Sequence, residues 1–429
     1  MINEKVFCAY PWSGIHIRPD GGFYSCCVAE PNKFIPGSNT KTLDQLYNSE
    51  ELKQLRLDLL AGTPRPDVCK NCYKKDAAGF SSPRTRSIKD FSRKIEDYVK
   101  TTDNTGRTNI NNIYYWDIRH SNLCNLKCRT CNEGYSSSWA AENNSISNIK
   151  LKSIENNVDL LNESYNTVRN IYFAGGETLL MPEHFETLTK LIATGRAKEI
   201  TISYSSNLTK LDYNNNNLID LWKEFGRVFI SISLDEIEEK YNYVRHGVDW
   251  EVVKSNIIQL KQSTKEYNNI NYRFTPTISI FNALSLTDIH RYLWDNDLME
   301  NINDIFIELV MYPEYFAFVN LLPKDLKLTV IDKINNHVQW LKEHNAQQDT
   351  IDRFLSVSDY TSNHLEIQNN NRTLVIFVDE ISKIDRKRNE SFVDTFPELA
   401  DMFNQYLQMY NRITWDINHR NYKPVPGNS

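Results

Sequence analysis

Three closely spaced cysteines constrain this chain more than any other feature. They are Cys124, Cys128 and Cys131, and they lie in the segment 121–131, which reads Ser-Asn-Leu-Cys-Asn-Leu-Lys-Cys-Arg-Thr-Cys. Three thiolates can hold a cubane cluster of four irons and leave one iron without a protein ligand, whereas clusters that only transfer electrons normally take four cysteines. The alternatives are three buried cysteines or part of a zinc site.

This segment resembles the cluster-binding loop of radical S-adenosylmethionine (SAM) enzymes, whose hallmark is the same cysteine spacing. In that family the open iron of a 4Fe-4S cluster chelates SAM, and one electron from the cluster releases a 5'-deoxyadenosyl radical. The resemblance implies that Cys124, Cys128 and Cys131 are metal ligands. It also implies a radical SAM oxidoreductase or maturase-type enzyme that abstracts hydrogen from its substrate and needs a reductant such as flavodoxin or ferredoxin.

Composition and charge limit the size, the location and the class of ligand that the protein can have. The 429 residues can bury one large core and one or two smaller modules. The net charge of −6 gives no global basic field that would bind nucleic acid. Residues 73–94 are locally basic, which fits either a solvated helix face or a patch for an anionic substrate. No apolar run of about 18 residues predicts a membrane span, and residues 1–8 lack the layout of a signal peptide. We therefore expect a cytoplasmic protein, where thiols stay reduced.

Short apolar runs alternate with amphipathic stretches from residue 113 onward. The predicted strands are 113–119, 170–174, 200–205, 228–234, 272–280 and 305–311, and the predicted helices are 136–142, 146–161, 182–193, 217–225, 250–262 and 286–294. Strands that alternate with helices indicate βαβ units around a parallel sheet. Ligands of such sheets lie beyond the carboxyl ends of the strands, and the three cysteines follow the first strand.

The family resemblance implies that this sheet is a partial (β/α)6 TIM-like barrel. We predict an α/β fold with that barrel, a small N-terminal cysteine-rich metal-binding module and a helical C-terminal extension. The polar stretch 101–112 predicts a linker. The predicted domains are residues 1–100, the linker 101–112, the barrel 113–325 and the helical region 326–429.

A glycine-rich motif at the end of the second predicted strand is a candidate SAM contact. It reads Gly175-Gly176-Glu177, and glycines let a ligand approach the backbone closely. In radical SAM enzymes a Gly-Gly-Glu motif at this position contacts the amino group of SAM, although here Thr178 stands where proline is usual. Without that resemblance, the motif would be only a strand-to-helix turn.

Residues near the third and fourth predicted strands complete the candidate SAM site. Ser233 and Arg245 resemble the serine and arginine that hold the ribose and carboxylate of SAM in relatives such as sulfatase-maturing enzymes. A guanidinium group suits a carboxylate because it can donate two parallel hydrogen bonds. Asn207 resembles the asparagine of a family turn, but asparagine is also a common turn residue. The alternatives are a routine strand-end hydroxyl for Ser233 and a surface salt bridge for Arg245.

The N-terminal region carries a second group of cysteines. Cys8 and Cys26 flank a predicted hairpin turn at 18–22, and Cys69 and Cys72 follow as a close pair. The pattern resembles the twitch domain, a shortened SPASM domain, placed here before the barrel. The resemblance implies that these four cysteines hold an auxiliary 4Fe-4S cluster, while four cysteines in two pairs also suit a zinc ion. We interpret the spare Cys27 as an inert buried thiol.

The auxiliary cluster bears on the expected reaction. A cluster with four cysteine ligands can accept or pass an electron, which favours net oxidation or cross-linking of a peptide or small-molecule substrate. Two other interpretations compete with this one. The first is a non-catalytic iron–sulfur or zinc metalloprotein that acts as a binding module. The second is a radical SAM enzyme that modifies nucleic acid, against which the acidic balance argues.

Overall fold

A computed structural model describes residues 2–19, 22–30, 32–33, 35, 41–144, 161, 164–214, 216–310, 313–367 and 371–419. The predicted helix 146–161 lies outside the described residues except at its last position. Within the described part of the chain, no helix has the length and apolar character needed to cross a membrane.

A seven-stranded sheet forms the centre of the fold. Its strands are β1 (Gly14–Ile17), β2 (Phe23–Tyr24), β3 (Tyr115–Ile118), β4 (Asn170–Phe173), β5 (Thr201–Ser206), β8 (Arg227–Ile232) and β9 (Ile270–Phe274). Their order is β2-β1-β3-β4-β5-β8-β9, and neighbours are parallel except in the antiparallel hairpin of β1 and β2. The sheet is open, because β2 and β9 lie at opposite edges.

Two short sheets accompany the large one. Strands β6 (Asp212–Tyr213) and β7 (Asn216–Asn217) form an antiparallel pair, and β10 (Thr277–Ile278) pairs in parallel with β11 (Glu308–Leu309). A bridge between Phe274 and Ile305 links the end of β9 to the segment before β11. The six predicted strands are therefore present, the fifth of them divided into β9 and β10, and the predicted α/β class is confirmed.

Helices occur in the N-terminal part of the chain, between the strands of the sheet and in the C-terminal part. The N-terminal part contains α1 (Tyr10–Ser13), α2 (Leu43–Tyr47), α3 (Glu50–Leu60), α4 (Pro66–Ala77), α5 (Pro83–Asp90) and α6 (Ile95–Thr101). The barrel part contains α7 (Ser137–Glu142), α8 (Pro182–Ala193), α9 (Leu218–Trp222), α10 (Glu238–Val244), α11 (Trp250–Glu266) and α12 (Leu286–Asp295). The C-terminal part contains α13 (Lys324–Glu343), α14 (Gln348–Asn363), α15 (Asn371–Arg388), α16 (Phe392–Thr395) and α17 (Ala400–His419), as the predicted helical extension requires.

The segment predicted as a linker packs against the N-terminal helices. Arg56, whose side chain is fully buried, donates hydrogen bonds to the carbonyls of Gly106 (3.2 Å), Tyr47 (2.7 Å) and Pro11 (2.9 Å). Asn48 donates to the carbonyl of Thr108 (3.1 Å). Because a buried guanidinium satisfies these carbonyls, the connection between module and barrel is tightly held.

Candidate functional site

The cysteine loop lies at the carboxyl edge of the sheet, directly after β3. Helix α7 holds the loop from its other side. The Cys124 amide donates to Ser137 Oγ (3.1 Å), Ser138 Oγ donates to the Cys124 carbonyl (2.7 Å), and the Trp139 indole donates to the Cys128 carbonyl (2.8 Å). These contacts fix the loop through its backbone. Within the loop itself, the Cys131 thiol also donates to the Asn132 carbonyl, with 3.7 Å between sulfur and oxygen.

The three thiols of this loop share one partly buried space. Burial, and then the neighbouring Cys128 thiol, raise the pKa of both Cys124 and Cys131 to about 12. Two donors point at the sulfurs: Asn207 Nδ2 lies 4.0 Å from Cys124 Sγ, and Arg245 Nη1 lies 3.9 Å from Cys128 Sγ. Buried thiols need positive charge to become thiolates, and iron ions supply it. This donor set fits a cluster held by three cysteines.

The Gly-Gly-Glu motif packs directly on the backbone of the cysteine loop. The amides of Gly176 and Glu177 donate to the carbonyls of Ser121 (3.1 Å) and Leu123 (2.6 Å). A Cβ added at Gly176 would lie 2.2 Å from the Leu123 carbonyl oxygen, so that no other residue fits without moving the loop. The glycines therefore bring β4 and the cysteine loop together.

The Glu177 carboxylate is buried and engaged within the protein. It accepts hydrogen bonds from Ser206 Oγ (2.8 Å), the Asn207 amide (2.6 Å) and the Leu179 amide (3.1 Å). Burial raises the pKa of Glu177 although these donors lower it. Glu177 thus fixes the turn that aims Asn207 at Cys124, and the predicted contact of this motif with SAM stays a prediction.

Arg245 joins the cysteine loop to the segment that follows β8. Its Nη2 pairs with Asp235 Oδ2 at 2.8 Å, while Nη1 faces Cys128. Its buried Nε has no hydrogen-bond partner among the described residues. Ser233, half-buried just beyond β8, is held by its amide, which donates to the Ser206 carbonyl (2.8 Å). The predicted SAM residues Asn207, Ser233 and Arg245 therefore surround the same edge as the three cysteines.

The large sheet has one apolar and one polar face. Alternate residues such as Trp116, Ile171, Ile202, Ile230 and Phe274 are fully buried on the first face. The opposite face carries a row of polar side chains that are neighbours in register across five strands: Asp117, Tyr172, Ser203 with Ser205, Ser231 and Arg273. Except for Asp117 and Ser231, which are buried, these side chains are half-buried and reachable by solvent.

Hydrogen bonds tie this polar row together. The hydroxyls of Tyr172 and Ser205 lie 2.6 Å apart, Arg273 Nε donates to Ser231 Oγ (3.2 Å), and Arg119 Nε donates to Asp117 Oδ1 (3.3 Å). Burial raises the pKa of Asp117, but Arg119 and His16 together lower it by more, so that the pKa lies below its ordinary value. The face thus combines a carboxylate, hydroxyls and guanidinium groups next to the cysteine loop.

The four N-terminal cysteines predicted as ligands also come together. Burial, and then the thiols of Cys27, Cys72, Cys8 and Cys69, raise the pKa of Cys26 well above its ordinary value. Cys8 Sγ lies 3.5 Å from Ser87 Oγ in α5. No three His, Cys, Asp or Glu side chains within the described ranges are arranged to hold a single metal ion. This finding includes Cys124, Cys128 and Cys131, so the ligand roles of both cysteine groups stay predictions.

The N-terminal module covers the polar face. The ring of Tyr10 stacks on Tyr115 of β3 with centroids 5.4 Å apart, and Arg86 of α5 pairs with Glu308 of β11 at 3.4 Å. Burial, and then the nearby Asp117 carboxylate, raise the pKa of Cys27 to about 12. Cys27, the neighbour of predicted ligand Cys26, therefore faces the polar row.

The C-terminal helices clamp the cysteine loop. Arg129, between Cys128 and Cys131, has a fully buried side chain whose Nη2 pairs with Asp385 (2.6 Å) and Glu390 (2.5 Å). Glu142, at the end of α7, pairs with Arg388 at 2.9 Å. The end of α15 and the turn after it thus fix both sides of the loop. We call the contacts of Asp385, Glu390 and Arg388 with the loop and α7 the clamp.

Sequence reasoning missed the polar row, Asp235 and the clamp. Alternation within the strands of the large sheet could have shown the polar row, because apolar and polar residues alternate in β3, in most of β5 and at the end of β8. Asp235 lies two residues after the predicted SAM residue Ser233, and that position is the signal that could have found it. For the clamp there was no signal, since Asp385 lies 256 positions from Arg129.

Comparisons with known proteins agree with this arrangement. Residues 118–276 match the family model of the radical SAM superfamily, and residues 8–73 match that of SPASM, an iron–sulfur cluster-binding domain. No curated protein matches the chain.

Several solved structures are similar to this chain. Native anSMEcpe with bound AdoMet is 18% identical with a TM-score of 0.40 and covers 55% of this chain and 62% of its own. Native anSMEcpe with bound AdoMet and Cp18Cys peptide is 20% identical with a TM-score of 0.37, covering 54% and 62%. Streptococcus suis SuiB bound to S-adenosylmethionine is 15% identical with a TM-score of 0.38, covering 70% and 64%. This chain therefore spans less than two thirds of the length of each.

The two family matches fall on the two cysteine groups, and they identify the cofactors as SAM with a 4Fe-4S cluster at the barrel and an auxiliary iron–sulfur cluster in the N-terminal module. The chain therefore contains a radical SAM domain at residues 118–276 and, before it, a SPASM-type iron–sulfur cluster domain at residues 8–73.

Proposed function

We propose that this protein oxidises or cross-links a peptide or small-molecule substrate that lies on the polar face of the sheet. When bound, SAM and the 4Fe-4S cluster supply a 5'-deoxyadenosyl radical that removes a hydrogen atom, and the auxiliary cluster supplies an acceptor for the electron that the substrate then loses. The chain's own residues bind, orient and shield the reactants.

One observation carries this proposal. The accessible polar row from Asp117 to Arg273 lies between the cysteine loop at the carboxyl edge and the N-terminal module that covers the face. A substrate on this row is next to both cysteine groups. A protein that used its metal centres only as structural supports would not need solvent-reachable hydroxyls and guanidinium groups between them.

Different residues at the carboxyl edge of the sheet bind different groups of SAM. We assign the amino group of SAM to the backbone of Gly175 and Gly176, because the Glu177 carboxylate is already engaged. The Nε of Arg245, which has no partner among the described residues, provides a donor for the SAM carboxylate, and Asp235 holds the guanidinium in place. Ser233 supplies a hydroxyl for the ribose.

The experiment that tests the proposal is anaerobic reconstitution with iron and sulfide, followed by incubation with SAM and dithionite. We expect about eight irons per wild-type chain, because two 4Fe-4S clusters are bound, and 5'-deoxyadenosine as a product. The variant Cys124→Ala/Cys128→Ala/Cys131→Ala should keep about four irons and form no 5'-deoxyadenosine.

Two further variants serve as controls. Changing Cys8, Cys26, Cys69 and Cys72 to alanine should leave about four irons, and Cys27→Ala should keep about eight. Wild-type protein that takes up iron but never cleaves SAM would sink the proposed enzyme function. About four irons plus bound zinc would remove the auxiliary electron acceptor and favour a redox-neutral reaction. The cytoplasmic location and a flavodoxin or ferredoxin as reductant remain proposals.

A further inference from the structure

Arg273 occupies an unusual place at the end of the polar row. It lies on β9, next to Ser231 in register, and its Nε donates to Ser231 Oγ at 3.2 Å. Its guanidinium carbon lies over the rings of Phe229 and Phe306, 5.0 Å and 4.6 Å from their centroids. The ring faces hold the guanidinium plane but supply no counter-charge.

Two more guanidinium groups meet the same phenylalanine. Arg86 from α5 and Arg353 from α14 lie 5.4 Å and 5.2 Å from the centre of the Phe306 ring. The N-terminal module, the barrel and the C-terminal helices thus each contribute one arginine to this point. Like charges brought together in a half-buried place repel one another unless anions balance them.

The described carboxylates balance only part of this charge. Glu308 pairs with both Arg86 and Lys75, and Asp349 pairs with Arg353. Arg273 pairs with no carboxylate anywhere in the part of the chain that the structure describes. Burial, and then the charges of Arg353 and Arg86, lower its pKa to about 10. Glu308 and Asp304 act on Arg273 only through space, without a salt bridge, so that the surplus positive charge lies on Arg273.

A neighbouring cavity does not supply the missing anion. It has a volume of about 750 Å³ and is lined by Arg86, Phe306 and Arg353 together with the acidic Asp90, Asp349 and Asp352. Arg273 does not line this cavity, since it lies next to Ser231 on the polar row. The free donors of Arg273 are left for a group on the polar face.

We propose that Arg273 binds an anionic group, a carboxylate or a phosphate, of the substrate that lies on the polar face; this rests on the function proposed above. The planar guanidinium group donates two parallel hydrogen bonds to either anion, and the phenylalanine rings hold it ready for that contact. The hydroxyls of Ser231, Ser205 and Tyr172 extend from this point along the row. The substrate is therefore anchored at β9 and reaches along the row toward the cysteine loop.

The test uses the reconstituted full chain with SAM bound and no reductant, so that the cofactor site is already filled. Inorganic phosphate is titrated by 31P NMR line broadening, and acetate by 1H saturation-transfer NMR. We expect wild-type protein to bind at least one of them and Arg273→Met to weaken that binding at least tenfold. Arg273→Lys, which keeps the charge without the two-pronged geometry, should weaken it less. Arg227→Met removes an exposed arginine at the start of β8 and should change nothing.

The outcomes separate the possibilities. Binding of phosphate alone assigns a phosphorylated substrate, and binding of acetate assigns a carboxylate. Equal affinity of wild type and Arg273→Met, or no binding of either anion by wild type, would overturn the inference. Formation of 5'-deoxyadenosine by the same wild-type sample is measured separately, so that a failure of the enzyme function is not mistaken for a failure of anion binding.

Discussion

The clamp on the cysteine loop makes a prediction about local stability. Replacing both Asp385 and Glu390 by alanine leaves the Arg129 guanidinium buried without a counter-charge. Its side chain is 0% exposed, and the two carboxylates are 14% and 19% exposed, so that solvent screens the interaction little. Removing the partners of a buried charge costs about 3–5 kcal/mol.

We expect this loss of stabilisation to lower the free energy needed to open the cysteine loop locally. A decrease of about 3 kcal/mol in the free energy of opening raises the equilibrium constant for opening about a hundredfold. The reporters are the amides of Lys127 and Arg129, which donate to the carbonyls of His246 (2.7 Å) and Val244 (2.8 Å) across the loop. In the double variant their hydrogen exchange, measured by mass spectrometry, should accelerate by about that factor.

A third substitution separates charge burial from lost packing. Adding Arg129→Met removes the uncompensated charge and should restore much of the protection, since a buried ion pair can be replaced by apolar groups at little cost. Asp379→Ala is the matched control on the same helix, because its pair with Lys383 is 30% and 56% exposed and worth at most about 1 kcal/mol. Unchanged exchange in the double variant, or no recovery with Arg129→Met, would refute this reasoning.

Three further predictions concern single residues. Gly176→Ala places a Cβ 2.2 Å from the Leu123 carbonyl oxygen, so iron bound after reconstitution should fall by at least about half; wild-type iron content would speak against the close packing. Asp235→Asn removes the ion pair of Arg245, and the Kd for SAM, measured by equilibrium dialysis, should rise about tenfold while iron content stays the same; an unchanged Kd would contradict the assignment of Arg245. Burial raises the pKa of Glu236 from 4.5 to about 8, so the unfolded chain ionises first and stability falls as pH rises between these values. Glu236→Gln should therefore raise Tm relative to wild type by an amount that grows from pH 5 to pH 8, and a constant difference would show that Glu236 does not titrate in this range.

Much of the barrel could be predicted from the sequence because its signals are local. The strand and helix patterns repeat within short windows, and the cysteine spacing is read from eight consecutive residues, 124–131. Helix 182–193 was predicted with the bounds that the structure gives, since Pro182 marks its start.

The remaining features depend on contacts between distant parts of the chain. Strand β1 is fully buried although His16 lies between Ile15 and Ile17, and no local signal predicted that it would pair with β3, about 100 positions away, and extend the sheet. The arginines around Phe306 come from residues 86, 273 and 353 and meet only after folding. The locally basic stretch 73–94 was left open between a solvated face and an anionic-substrate patch. In the structure Lys74, Lys75 and Arg86 of this stretch pair with Glu314 and Glu308, and Arg86 also contributes to the surplus charge at Arg273.

The most direct test of the account is electron paramagnetic resonance of the dithionite-reduced protein with and without SAM. The account predicts that SAM changes the signal of the cluster held by Cys124, Cys128 and Cys131, because SAM binds its open iron. The same change should persist when Cys8, Cys26, Cys69 and Cys72 are alanine and disappear in the Cys124→Ala/Cys128→Ala/Cys131→Ala variant. A reduced wild-type spectrum that SAM leaves unaltered would contradict the central claim.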